Sequence, residues 1–179
     1  NATLPTLAIA GNELTFSVWN FGIESKNSSI IFLGANNGSR ILQVHLPYSG
    51  NVVFFDKGSG GGGSSYDRIS KTGTVADWEG WHHWAFTANA VTGNMRIYRD
   101  GVLWHNGNGK TKTFLNVTGN RRRIGQWHTT GGYHRGYISN MQIYKKQLSQ
   151  AEVIHNFDAM KGRFENRPLI LSGISYSLT

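Results

Sequence analysis

Apolar and polar residues alternate along most of the chain, in short runs. In Leu14-Thr15-Phe16-Ser17-Val18 every second side chain is large and apolar, with small polar ones between. That period of two belongs to a strand with one buried face. Residues 30–33, 41–46 and 52–55 are further short apolar runs, separated by turn formers at Asn36-Asn37-Gly38 and at residues 47–50. Residues 81–89 place Trp84, Phe86 and Ala88 on one face and His83, Ala85 and Thr87 on the other. In residues 95–99 Met95 and Ile97 share a face, Asp100-Gly101 supplies a hairpin turn, and residues 102–105 return. Residues 122–126, 137–144 and 169–176 predict three more strands. One helix is marked: Ser149 and Glu152 have capping-box spacing, Leu148 and Val153 stand where a hydrophobic staple belongs, and Val153, Phe157 and Met160 form one apolar stripe.

Many short strands and one C-terminal helix predict an all-β fold, an antiparallel two-sheet β-sandwich. The 23 glycines against 3 prolines suit strands joined by tight turns. Residues 58–65 read Gly-Ser-Gly-Gly-Gly-Gly-Ser-Ser, the composition of a flexible linker. Too little chain precedes them to make a separate core, so they are expected to form a loop between two strands. The expectation is one domain over residues 1–179, with its core at about 14–164 and a C-terminal extension over 165–179.

Charge narrows the partners. The formal net charge of +8 attracts anionic surfaces: acidic polysaccharide, nucleic acid or an acidic protein. Nucleic acid is the weaker of these, because Arg121-Arg122-Arg123 falls on or before a strand, where neighbouring side chains diverge, and no nucleic-acid motif accompanies it. The absence of cysteine excludes disulfides, thiolate metal sites and cysteine nucleophiles. No apolar run reaches the roughly 20 residues of a membrane span.

Three stretches together resemble the laminin-G-like domains of the concanavalin-A-like lectin and glucanase superfamily. They are residues 81–87 (Trp-His-His-Trp-Ala-Phe-Thr), residues 95–101 ending in Asp100-Gly101, and residues 136–144 followed by Leu148-Ser149 and Glu152-Val153. Residues 43–48 and 66–69 are similar to elements of bacterial and phage-encoded members. The resemblance runs from about Leu14 to Phe164 and implies a jelly-roll sandwich of two stacked antiparallel sheets. Where the closing strand of such domains often carries acids, this chain has Ser139-Asn140.

Catalytic signals are sparse. Glycoside hydrolysis needs paired carboxylates flanking the bond. The Glu-x-Asp-x-x-Glu strand of laminarinase-type relatives does not occur here, and Asp77 and Glu79, the closest pair, fall in an expected loop. Gln43-Val44-His45 resembles a motif of jelly-roll polysaccharide lyases. Gln43 and His45 share a face, but the companion strands of such enzymes are missing, which favours a plain solvent- or groove-facing pair. No Gly-x-Ser-x-Gly elbow and no His-Glu-x-x-His occurs. The chain is therefore expected to be no enzyme, and to need no cofactor. If a metal is held, it is calcium, at Asp67 and Asp56, since relatives on this fold hold it with carboxylates and carbonyls.

A sugar site pairs a planar aromatic with polar forks. The segment Trp127, His128, Tyr133, His134 and Arg135 supplies both types, with Tyr48 and Trp104 as further candidates. The expected function is a non-catalytic binding or adhesion module for glycan or an acidic surface, placed outside the cell or on a cell or virion surface. The competing expectations are a virion structural protein such as a phage capsid decoration or fibre domain, with homo-oligomer or virion assembly partners, and a jelly-roll polysaccharide lyase.

Overall fold

The computed structural model describes residues 2–3, 7–34, 40–58, 65–117, 121–127 and 131–164. The strands are β1 (Ala2–Thr3), β2 (Glu13–Gly22), β3 (Ser29–Gly34), β4 (Arg40–Tyr48), β5 (Val52–Gly58), β6 (Tyr66–Thr72), β7 (Gly80–Asn89), β8 (Asn94–Arg99), β9 (Val102–Gly107), β10 (Arg121–Ile124) and β11 (Gly136–Tyr144). Two helices accompany them, α1 (Val75–Trp78) and α2 (Gln150–Lys161). Among the described residues the strands make two antiparallel sheets, one of six in the order β1-β10-β3-β4-β5-β6 and one of five in the order β11-β2-β7-β8-β9.

The two sheets meet through their apolar faces. Ile31, Leu33, Leu42, Val44 and Phe55 of the six-stranded sheet pack with Leu14, Phe16, Val18, Trp84, Phe86 and Ile97 of the five-stranded one in a single cluster. These are alternate residues of their strands, as the period of two predicts. Phe86 is at its centre, stacked on Phe16 at 6.0 Å and met edge-on by Phe55 at 5.7 Å across the sheets.

Turn and cap chemistry agree with the sequence expectations. Asp100 and Gly101 both take positive φ (50° and 80°), as a tight hairpin between right-twisted strands requires. Ser149 accepts from the Glu152 N–H and Glu152 reaches back to the Ser149 N–H at 2.8 Å, the reciprocal cap that starts α2. Leu148 and Val153 then pack with Ala85 and Tyr98, which lays α2 on the outer face of the five-stranded sheet. At Ser139-Asn140, β11 carries a register shift and Asn140 takes φ 46°.

Three elements differ from expectation. Asp77 is not in a loop: it caps α1, accepting from the Thr74 N–H at 2.7 Å and from Arg99 at 2.7 Å. The strand β6 is longer than its polar sequence signals, because it is the edge of its sheet and only Ile69 of its side chains is buried. The third is β1, a two-residue strand paired to β10 that no pattern marks. The expected strand at 169–176, the extension 165–179 and residues 59–64 of the glycine loop lie outside the described residues. No helix among the described residues is long and apolar enough to cross a membrane.

Candidate functional site

The outer face of the six-stranded sheet carries a cavity of about 230 Å³ lined by Arg40, Gln43, His45, Tyr48, Phe54, Arg68 and Trp127, with Val52 and Ser70. Strand pairing builds it. Gln43 is opposite Asp56, which is opposite Arg68, and His45 is opposite Phe54, which is opposite Ser70. The odd-even alternation of β4, β5 and β6 therefore sends all six side chains to one face.

The floor is polar and buried. Gln43 and His45 are both buried, and Gln43 Nε2 lies 2.6 Å from His45 Nε2. His45 stacks on Phe54 at 4.4 Å, and Tyr48 and Trp127 meet its ring edge-on at 5.4 and 6.3 Å. Burial, with the charges of Arg68 and Arg40, pushes the His45 pKa down to about 3, so the imidazole is neutral. Gln43 Oε1 and His45 Nδ1 have no partner among the described residues. Whichever tautomer and amide orientation the pair adopts, it leaves at least one donor and one acceptor unmet.

The wall is cationic. Asp56 is fully buried and takes Arg68 in a two-point grip, Nε to Oδ1 at 2.6 Å and Nη2 to Oδ2 at 2.8 Å, with Arg40 Nη1 at 3.3 Å. Burial works against the Arg68 charge, yet the hydrogen bonds and charge of Asp56 more than restore it and its pKa is raised. Arg68 lies over the Phe54 ring at 3.9 Å and Arg40 over Tyr66 at 4.3 Å, which fixes both guanidiniums as planar plates.

The structure brings two of the expected site residues, Tyr48 and Trp127, to this cavity. It distributes the others. Tyr133 and Arg135 are exposed and do not line the cavity, with Arg135 Nε 4.0 Å from Glu24. His134 accepts or donates at 2.8 Å with Ser28 Oγ, and burial lowers its pKa to about 4. Trp104 is on β9 of the opposite sheet, edge-on to Trp84 at 5.4 Å, with its indole N–H donating to Asp77. His128 lies outside the described residues.

Of the two placements expected for Gln43 and His45, solvent-facing or groove-facing, the structure has the second: both are buried at the floor of the cavity. Arg40, Arg68 and Phe54 went unnoticed because nothing local distinguishes them. The one signal was Asp56 directly after the apolar run of residues 52–55, since a carboxylate demands a cationic partner when buried.

Asp56 and Asp67 do not fit a calcium site. Asp56 is on the outer face while Asp67, opposite Lys57, is on the inner one. Each is already engaged, Asp56 by two arginines and Asp67 by Lys57 Nζ at 3.3 Å and the Lys112 N–H at 2.9 Å. Among the described residues no three His, Asp or Glu side chains come together as metal ligands would.

A pair with the look of catalytic chemistry occurs on the other sheet. Ser17 Oγ is 2.8 Å from His83 Nε2. His83 Nδ1 has no acceptor among the described residues, and Asp100 bonds His82 Nδ1 and the His83 backbone N–H instead. The third, orienting group of a triad is thus directed elsewhere.

Several solved structures share this architecture. The binding domain of botulinum neurotoxin DC in complex with SialylT matches at TM-score 0.60 and 17% identity, over 83% of this chain and 36% of that one. Botulinum neurotoxin type C, whose cell entry depends upon interaction with two ganglioside molecules, matches at 0.58 and 16%, over 83% and 36%. The native heptameric SAP-like pentraxin of Limulus polyphemus matches at 0.60 and 16%, over 85% of this chain and 72% of that one. The chain thus spans about a third of the toxin chains it matches, and at these identities the likeness is one of fold. No curated protein matches in sequence. The pattern of one family, however, matches residues 1–154, which include every strand of both sheets. The chain belongs to the laminin-G-like part of the concanavalin A-like lectin/glucanases superfamily.

Proposed function

We propose that this protein is a non-catalytic carbohydrate-binding module, working outside the cell or at a surface, with its sugar site in the cavity on the six-stranded sheet. The observation that carries the reading is the buried Gln43–His45 pair, which leaves a donor and an acceptor unmet beside the rings of Tyr48, Phe54 and Trp127. A sugar offers what these lack: an apolar face for the rings and hydroxyls for the polar pair. The wall contributes one carboxylate, Asp56, held by two guanidiniums, where hydrolysis calls for two opposed across the bond. Structural neighbours bear on the reading through what they bind, SialylT in one toxin binding domain and two ganglioside molecules in another toxin.

A glycan array probed with the whole chain tests this. Saturable binding is expected, and the Gln43→Ala, His45→Ala double variant should weaken it by about 1–3 kcal/mol, roughly 5- to 150-fold. Thermal melting of the variant shows whether it remains folded. A bound polymer that is cut, with cutting lost in the same variant, would replace the binding reading with polysaccharide cleavage.

A further inference from the structure

We infer that the sugar taken by this cavity carries a carboxylate, and that Arg40 and Arg68 hold it. The inference rests on the cavity being a sugar site and adds the class of sugar.

Charge is the first argument. Two guanidiniums share one buried carboxylate, and no second acid among the described residues bonds either of them, so among those residues the wall keeps at least one positive charge. None of the segments 35–39, 59–64, 118–120 and 128–130, which fall between the described parts of the chain, contains an acid that would cancel it. His45 adds no charge, being held neutral by burial. A singly charged ligand matches that surplus.

Geometry is the second. Arg68 turns Nε and Nη2 to Asp56 and leaves its Nη1 edge without an acceptor among the described residues. Arg40 gives Asp56 a single long bond from Nη1. Their side chains are 33% and 19% exposed, and both line the cavity. Stacking on Phe54 and Tyr66 keeps the two plates from swinging to follow a mobile anion. Fixed guanidinium edges suit a planar carboxylate, which takes two parallel N–H bonds.

Arrangement is the third. The cations are on the wall and the neutral pair is on the floor. A ring seated on the floor meets Gln43 and His45 with its hydroxyls and the arginines with an acidic substituent. At about 230 Å³ the cavity has room for one ring, so a single acidic residue of a longer glycan is the expected occupant. Uronic acids of polysaccharides and sialic acids of glycoconjugates share this chemistry.

The test is calorimetric titration of the whole chain with three sets of probes: uronic-acid oligosaccharides, sialyllactose, and the carboxyl-reduced form of each. At least one acid is expected to bind, with its reduced form at least tenfold weaker, and the acid that binds identifies the source. Arg40→Gln, which keeps the Arg68–Asp56 grip, should lose about tenfold toward the acid and little toward the reduced sugar. Equal binding of acid and reduced forms overturns the carboxylate inference while the sugar site stands. If neither acidic nor neutral glycans bind, the sugar reading itself has failed.

Discussion

His45 and His83 occupy opposite outer faces of the sandwich and begin from similar chemistry. Each ring is buried, each is bonded to a polar side chain, His45 to Gln43 of its own strand and His83 to Ser17 of the neighbouring β2, and each is kept neutral by desolvation, at pKa values of about 3 and about 4. Their surroundings then diverge. Over His83 lies α2: Phe157 approaches its ring at 6.1 Å, and Phe157 and Phe164 stack on the adjacent Trp19 at 5.7 and 4.2 Å. Over His45 no helix lies among the described residues, and two arginines border a cavity instead. A buried histidine with a polar partner is therefore not a site in itself. What covers it, and whether the charge beside it is balanced, decides whether it braces a sheet or receives a ligand.

Removing the cover from one face breaks the comparison most severely. Trp19 is the platform on which α2 closes and is 3% exposed. Trp19→Ala should cost about 3–5 kcal/mol, read by chemical denaturation. Glycan affinity per folded molecule should stay unchanged, because the cavity is on the other sheet. A loss of affinity in folded Trp19→Ala would show that the two faces are not independent.

Acid should act on both faces alike. The folded pKa values of His45, His83 and His134 are depressed below the unfolded value of about 6.5. Between about pH 6.5 and 4 the unfolded chain binds protons that the folded one refuses, so stability falls as pH falls, by up to about 1.4 kcal/mol per unit for each histidine. Above pH 6.5 this contribution is constant. Melting temperatures measured from pH 7 to pH 4 check the sign, and a His83→Asn variant should show a shallower slope.

The smallest effect sharpens the boundary of the site. Trp104 has the composition of a sugar platform but packs on Trp84 at the far sheet. Trp104→Phe should leave glycan affinity unchanged in the titration that detects the Arg40→Gln loss.

Much of this fold was legible along the chain. The alternation in residues 14–18 and 81–89 marked which side chains face inward, and the Asp100-Gly101 turn and the Ser149–Glu152 cap marked where strands reverse and the helix begins. These signals are local, involving residues two to four apart. The edge strand β6 and the short α1 were obscure because a polar edge and a four-residue helix leave little periodic trace.

By itself the sequence determined that the chain forms many half-buried strands, that Gln43 and His45 share a face, and that the chain carries a net charge of +8. Only the tertiary structure decided which cations stand beside that pair. Arg68 reaches it through two successive strand pairings, Gln43 to Asp56 and Asp56 to Arg68, and Trp127 arrives from a segment far along the chain. Register between strands is set by packing of the whole sandwich, and one residue of slip would turn Arg68 away from the cavity.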